Sequence, residues 1–176
     1  NKIRASNAET RARSRKYITF GDEHFSKQRY ADANQRYRQA ADAAPDLGEG
    51  FFRQAFALAA LGRYDTAVKA VKRGLEVTPD WPRTGFRLDV LYVDNQLAKT
   101  AHFEAMAKAA AADANNADLL YLLGVYLHFD GHAGRARPFF LRARDLGFDE
   151  AYLAGFLKAL PAPPAAAPAK VAGVEI

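Results

Sequence analysis

The chain holds 176 residues, 49% of them apolar and 26% charged, with no cysteine and a formal net charge of +5. That length builds about one domain with a real core, and the composition excludes a wholly disordered chain. Without thiols there are no disulfides, thiolate metal sites or cysteine nucleophiles, and no run reaches the ~20 apolar residues of a membrane-spanning helix.

The chain begins with its charge. Residues 1–16 carry Lys2, Arg4, Arg11, Arg13, Arg15 and Lys16 against Glu9 alone, while the rest holds 19 basic and 19 acidic groups. The net charge therefore reports a basic lead-in, residues 1–13, and not a basic domain. Such a segment reads as a solvated linker or helix extension; the alternative is contact with acidic lipid or nucleic acid. No apolar core follows it, so it is not a secretory signal. The first residue is Asn1 and not Met, from which we expect a piece of a longer protein.

From Ser14 the chain repeats itself. Ser14–Leu47 aligns with Gly48–Trp81: Tyr30 with Tyr64, Ala33 with Ala67, Pro45 with Pro79, each pair 34 residues apart. A third unit starts at Pro82 and a fourth at Ala117, and the small residue at 33 and 67 recurs at 101 and 136. A period of this length marks stacked repeats. Within the first unit, Tyr17, Ile18, Phe20, His24 and Phe25 have helical spacing. In the second, Phe51, Phe52, Ala55, Phe56, Leu58 and Ala59 form a broader stripe. Gly62-Arg63-Tyr64 and Gly131-His132-Ala133 break helices, and Pro45-Asp46, Pro79-Asp80 and Asn115-Asn116 separate the units. The register predicts Pro138 in the first turn of its helix, where a missing N–H would be tolerated. Asp149–Leu160 reads as one more amphipathic helix, with Tyr152, Leu153, Phe156, Leu157 and Leu160 apolar. Residues 161–176 form a Pro/Ala-rich tail, an extended spacer.

This register resembles the tetratricopeptide repeat (TPR) family, whose unit is two antiparallel helices with small residues at their close crossing. The resemblance covers residues 14–150, in units of about 14–47, 48–81, 82–116 and 117–150. The third unit departs from it, with Asp89 where a small residue is usual and Asp113 where proline is. The fourth has Phe148 in place of proline. The implied fold is all-α: a right-handed α-solenoid of four helix–turn–helix units, domain 14–160, closed by a capping helix at 149–160.

Catalytic patterns are missing. None of Ser6, Ser14 and Ser26 sits in a nucleophile elbow, and there is no Gly-rich phosphate loop. His128 and His132 are four apart but Gly131 interrupts them, so they read as turn histidines and not a metal pair. Asp113, Asn115 and Asp118 lack the glycine and glutamate of a calcium loop. We expect neither enzyme nor cofactor.

The resemblance implies that first helices line a concave groove. Its middle would hold Phe52, Arg53, Phe56, Arg83, Phe86, Arg87 and Tyr121. Arg83 and Arg87, one helical turn apart, would share a face and present two guanidinium forks to a carboxylate, with aromatic neighbours for apolar and cation–π contact. TPR modules that grip a C-terminal carboxylate carry basic residues at these two places. The rest of that clamp is absent here, because Ile18, Asp22 and Arg53 stand in its other positions. The expectation is a non-catalytic scaffold or adaptor whose groove takes a protein or peptide partner, acidic or acidic–aromatic. In the alternative, these arginines pair with Asp22, Glu49, Asp89 and Asp94 and only solvate the groove. Arg135, Arg137, Arg142 and Arg144 on the last second helix read as a solvated face, which disfavours nucleic acid. A rival function is a structural module that self-associates or co-folds within a larger protein.

Overall fold

A computed structural model of the chain describes residues 3–160. The Pro/Ala-rich tail and the first two residues of the lead-in lie outside the described residues. The described residues contain helices and no strand. In chain order they are α1 (Ala8–Ser26), α2 (Tyr30–Ala43), α3 (Glu49–Ala60), α4 (Tyr64–Val77), a 3₁₀ turn at Trp81–Arg83, α5 (Asp89–Tyr92), α6 (Gln96–Ala112), α7 (Ala117–Phe129), α8 (Ala133–Asp145) and α9 (Glu150–Ala159).

Three hairpins, α1–α2, α3–α4 and α7–α8, turn at the same place in the register. Gln28, Gly62 and Gly131 take φ of 61°, 72° and 81°. That left-handed residue lets the next N–H reach back five residues: Arg29 to the His24 carbonyl, Arg63 to Leu58 and His132 to Leu127, at 2.9, 2.9 and 3.0 Å. These are the bonds that close a helix C-terminus. Small residues then let the helices touch. A Cβ on Gly21 would lie 2.3 Å from the Tyr37 ring, and one on Gly124 2.7 Å from the Phe140 ring.

α1 starts ahead of the first repeat. The Asn7 side chain accepts the Thr10 N–H at 2.9 Å and the Thr10 hydroxyl accepts the Asn7 N–H at 3.0 Å, a reciprocal cap. Residues 8–13 of the basic lead-in are thus a helix extension.

The third unit departs from the expected hairpin. Its second helix forms as α6, but its first does not: between Trp81 and Gln96 only Asp89–Tyr92 is α-helical. Two features work against the helix. Thr84-Gly85 has weak helix propensity, and Asp89 stands where two helices would cross closely. A carboxylate buried there would lack partners. Asp89 instead lies at the surface, bonded to Lys99 Nζ at 2.8 Å.

The fourth unit is also placed differently from the next step of a regular array. α7 is apolar all round, with residues 121–127 consecutively buried, so it needs cover on every side. It packs against α4, α6 and α8, and Phe156 of α9 meets His128 and Phe129 near its end. Its start, at Asn116 and Leu119, borders the α3–α4 turn at Gly62–Thr66. Its end reaches the Pro82 carbonyl just past α4, through His128 at 2.7 Å. α7 therefore runs parallel to α4 and antiparallel to α3. Contacts of α1 with α5, and of α9 with the Trp81 turn, close the array on itself.

Candidate functional site

The inner faces of α1 and α3 form the floor of the groove. Phe52, Arg53 and Phe56 recur at helical spacing on α3, opposite Asp22 and Phe25 of α1. This floor is covered by the chain's own residues 81–92. Trp81 stacks on Phe52, ring centroids 3.4 Å apart and planes 4° from parallel, and meets Phe129 of α7 at 4.2 Å. Phe86 lies 5.8 Å from Phe56 and 5.4 Å from Trp81. Tyr92 meets Phe25 edge-on at 4.9 Å. The Leu88 N–H donates to the Phe129 carbonyl at 3.0 Å.

Charge in the floor is balanced internally. Arg53, only 8% exposed, donates from Nε to Asp22 at 3.0 Å and from Nη1 to Glu49 at 2.7 Å. Its guanidinium also sits 5.3 Å from the Phe86 ring centroid. Burial pushes the Asp22 carboxyl above its ordinary range; the Arg53 charge and the Tyr37 hydroxyl, which donates to it at 2.7 Å, pull the other way. With two carboxylates already on it, Arg53 has little charge left for an acidic ligand.

The seven groove residues expected from sequence separate into three groups. Phe52, Arg53 and Phe56 come together in the floor and are buried. Arg83, Phe86 and Arg87 lie on the covering segment, the arginines exposed and Phe86 half-buried. They do not share a helical face, because no helix forms there. Arg87 turns its guanidinium against Gly131 in the α7–α8 turn and lies 3.7 Å from Asp89. Arg83 has no ion pair among the described residues. Tyr121 packs elsewhere, fully buried against Phe140, Phe148 and Phe156.

Two histidines fasten the ends of the covering segment. His128 donates from Nε2 to the Pro82 carbonyl while its Nδ1 is buried without a partner; burial pulls its pKa down against that bond. His102 Nδ1 lies 2.6 Å from the Tyr92 hydroxyl, and burial pulls its pKa down too. Tyr92 is 3.0 Å from the Tyr126 hydroxyl, which donates to the Lys99 carbonyl at 2.9 Å. The Tyr92 hydroxyl thus stands between the His102 ring and the Tyr126 hydroxyl.

Sequence reasoning did not single out Trp81 or the Tyr92–His102–Tyr126 chain. Trp81 carried a faint signal, as a large aromatic placed before Pro82 at a unit boundary. The hydroxyl chain links Tyr92 to Tyr126 one repeat further on and to His102 within the third unit, a contact that helical spacing does not announce. Among the described residues there is no cluster of three or more His, Asp or Glu side chains suited to a metal ion, and no helix is long and apolar enough to cross a membrane.

With the hairpins, their register and their glycine crossings in place, the fold is that of tetratricopeptide repeats, an all-α array of antiparallel helix pairs. No family model and no curated protein matches the chain. Among solved structures, it is similar to the Sgt2 TPR domain from Aspergillus fumigatus, at 16% identity over 88% of this chain and 79% of that one, TM-score 0.42. It is similar to MamA from Desulfovibrio magneticus RS-1, at 22% identity over 77% and 76%, TM-score 0.39. It is also similar to YrrB, described as a TPR protein with an unusual peptide-binding site, at 19% identity over 82% and 74%, TM-score 0.36. At these identities and scores the likeness conveys neither ligand nor superhelical shape.

Proposed function

We propose that the protein is a non-catalytic scaffold or adaptor that holds a peptide segment or partner protein at its concave groove, with preference for acidic–aromatic sequence. The observation that carries this reading is the exposed pair Arg83 and Arg87 beside half-buried Phe86, at the edge of an aromatic groove. Arg53 is neutralised by Asp22 and Glu49, so recognition of an anion falls to those two guanidinium groups. Phe52 and Phe56 form the apolar floor beneath Trp81 and Phe86. A few such anchors, and not the whole area, would set the affinity. Tyr121 acts only as a support, since it lies in the α7–α9 core.

The test is selection from a random peptide library displayed on phage, with the full chain as bait. Selected peptides should carry Asp or Glu next to an aromatic residue. Arg83→Glu with Arg87→Glu should weaken binding of the best peptide by more than ~2 kcal/mol. Equal binding by the variant, or no acidic enrichment, would remove this reading.

A specific observation also favours self-association. Val90, Val93 and Leu97 are 50%, 53% and 82% exposed, a cost in water that a second copy would relieve. Sedimentation over a wide concentration range, with Leu97→Asp beside the wild type, distinguishes the two. Mass that rises with concentration and is suppressed by the substitution would support the second reading.

A further inference from the structure

We propose that residues 84–95 are a displaceable strap. They occupy the groove in this conformation, and they leave it by winding into the missing first helix of the third unit when a peptide of similar aromatic–aliphatic chemistry binds. The inference rests on the groove being a binding site, as argued above, and specifies what the site holds when no partner is present.

The strap is seated as a peptide ligand would be. Phe86 enters between Phe56 and Trp81 beneath the Arg53 guanidinium. Leu88 and Leu91 are fully buried, and Tyr92 docks on Phe25. Among the described residues, the backbone hydrogen bond from Leu88 to Phe129 is the one that ties the strap to an element not next to it in the chain; the others join it to the Trp81 turn before it and to α6 after it. It is therefore held mainly by side chains, whose places another peptide's side chains can take.

The hinge of the strap is strained. Val93 has φ 52° and ψ −114°, and the Asn95 N–H returns to the Tyr92 carbonyl at 2.9 Å. This is the first central position of a type II′ turn, a place for glycine, and a β-branched residue there is a true outlier. A functional segment that can switch is where such strain belongs.

A second state for the same residues is written in the register. Positions 82–93 align with α1, α3 and α7, and α5 already supplies one helical turn. Pro82 is acceptable at a helix start. Wound up, the segment would place Arg83, Phe86, Arg87 and Val90 on one face, the groove positions that the repeat pattern assigns to them. A partner then binds with an apparent affinity reduced by the fraction of molecules whose strap is closed.

The probe is a fluorescein-labelled peptide of the strap sequence, TGFRLDVLYVDN, titrated with the full chain and followed by anisotropy. It contains no tryptophan, so emission from Trp81, the one tryptophan of the chain, reports the loss of Phe86 from its side. Leu88→Ala with Leu91→Ala, which loosens the strap, should bind the peptide at least about tenfold more tightly than wild type. Val93→Gly relaxes the turn and disfavours the helix, so it should bind more weakly than wild type. Equal affinity of the three chains, or equal binding of a scrambled peptide, would overturn the strap. Equal, sequence-specific binding would still leave the groove as a binding site. No binding to any chain also overturns the strap, and the phage selection then decides the groove reading by itself. If the double variant does not fold, the comparison of Val93→Gly with wild type decides, and equality there is the overturning result.

Discussion

At Gly21 the first hairpin leaves no room for a methyl group. A Cβ would fall 2.3 Å from the Tyr37 ring, and that ring is fixed by its bond to Asp22. Gly21→Ala should cost about 1–3 kcal/mol through overpacking, read as a lower urea midpoint. Gly134 is the control: it is helical, and a Cβ there meets nothing within 4 Å. Gly134→Ala should be neutral or stabilise by up to ~1 kcal/mol. If both substitutions shift the midpoint alike, close crossing is not the cause. The histidines give a second prediction at this scale. His102 and His128 both have pKa values pulled below the ordinary 6.5 by burial. The unfolded chain therefore takes up protons at a higher pH than the folded chain. Stability should be full above pH ~6.5 and fall as the pH drops below that value. It levels off only once both rings are protonated in the folded state. His102→Gln with His128→Gln should flatten that fall, and an equally steep profile in the variant would assign it to other groups. Neither histidine's role was legible in the sequence, because Pro82 reaches His128 and Tyr92 reaches His102 only through tertiary packing.

α9 is the element whose place was clearest in advance, since an amphipathic helix after the last repeat has one exposed apolar face to cover. Its Asp149 cap accepts the Ala151 N–H at 2.9 Å. Phe156 is fully buried, 5.0 Å from Phe140 and 5.2 Å from His128. Phe156→Ala should cost about 3–5 kcal/mol, as burial and packing are lost together. A loss below 1 kcal/mol by urea titration would mean that α9 is not fastened as described. The first helix of unit three was the least legible element. Its spacing fits a helix, yet Thr84, Gly85 and Asp89 weaken it, and Leu88, Leu91 and Tyr92 are buried and Phe86 half-buried without it. Periodicity says which residues share a face; it does not say whether that face is won by a helix or by an extended segment lying across the same surface.

At the scale of the molecule, the first and last described helices are tied to the middle of the array. α1 touches α5, α9 touches the Trp81 turn, and α7 sits among α4, α6 and α8. An open array gains stability from nearest neighbours and can lose its units in turn. This closed arrangement should instead unfold in one transition. Trp81 emission, which reports the centre, should change with the same urea midpoint as far-UV circular dichroism, which reports every helix. Separated midpoints would show units melting independently.

The amino-acid order by itself determined the hairpins. Their helices, the glycine turns at 62 and 131 and the glycine crossings depend on side chains within one 34-residue unit, so local sterics and spacing suffice to read them, whereas the left-handed Gln28 of the first turn carried no such signal. Only the tertiary structure decided where α7 goes and what becomes of residues 82–95. α7 is apolar on every side and takes its place by burial against several elements at once, a competition that no single unit records. The same competition put Trp81 on Phe52, closed the groove over Arg53, and left Arg83 and Arg87 in water.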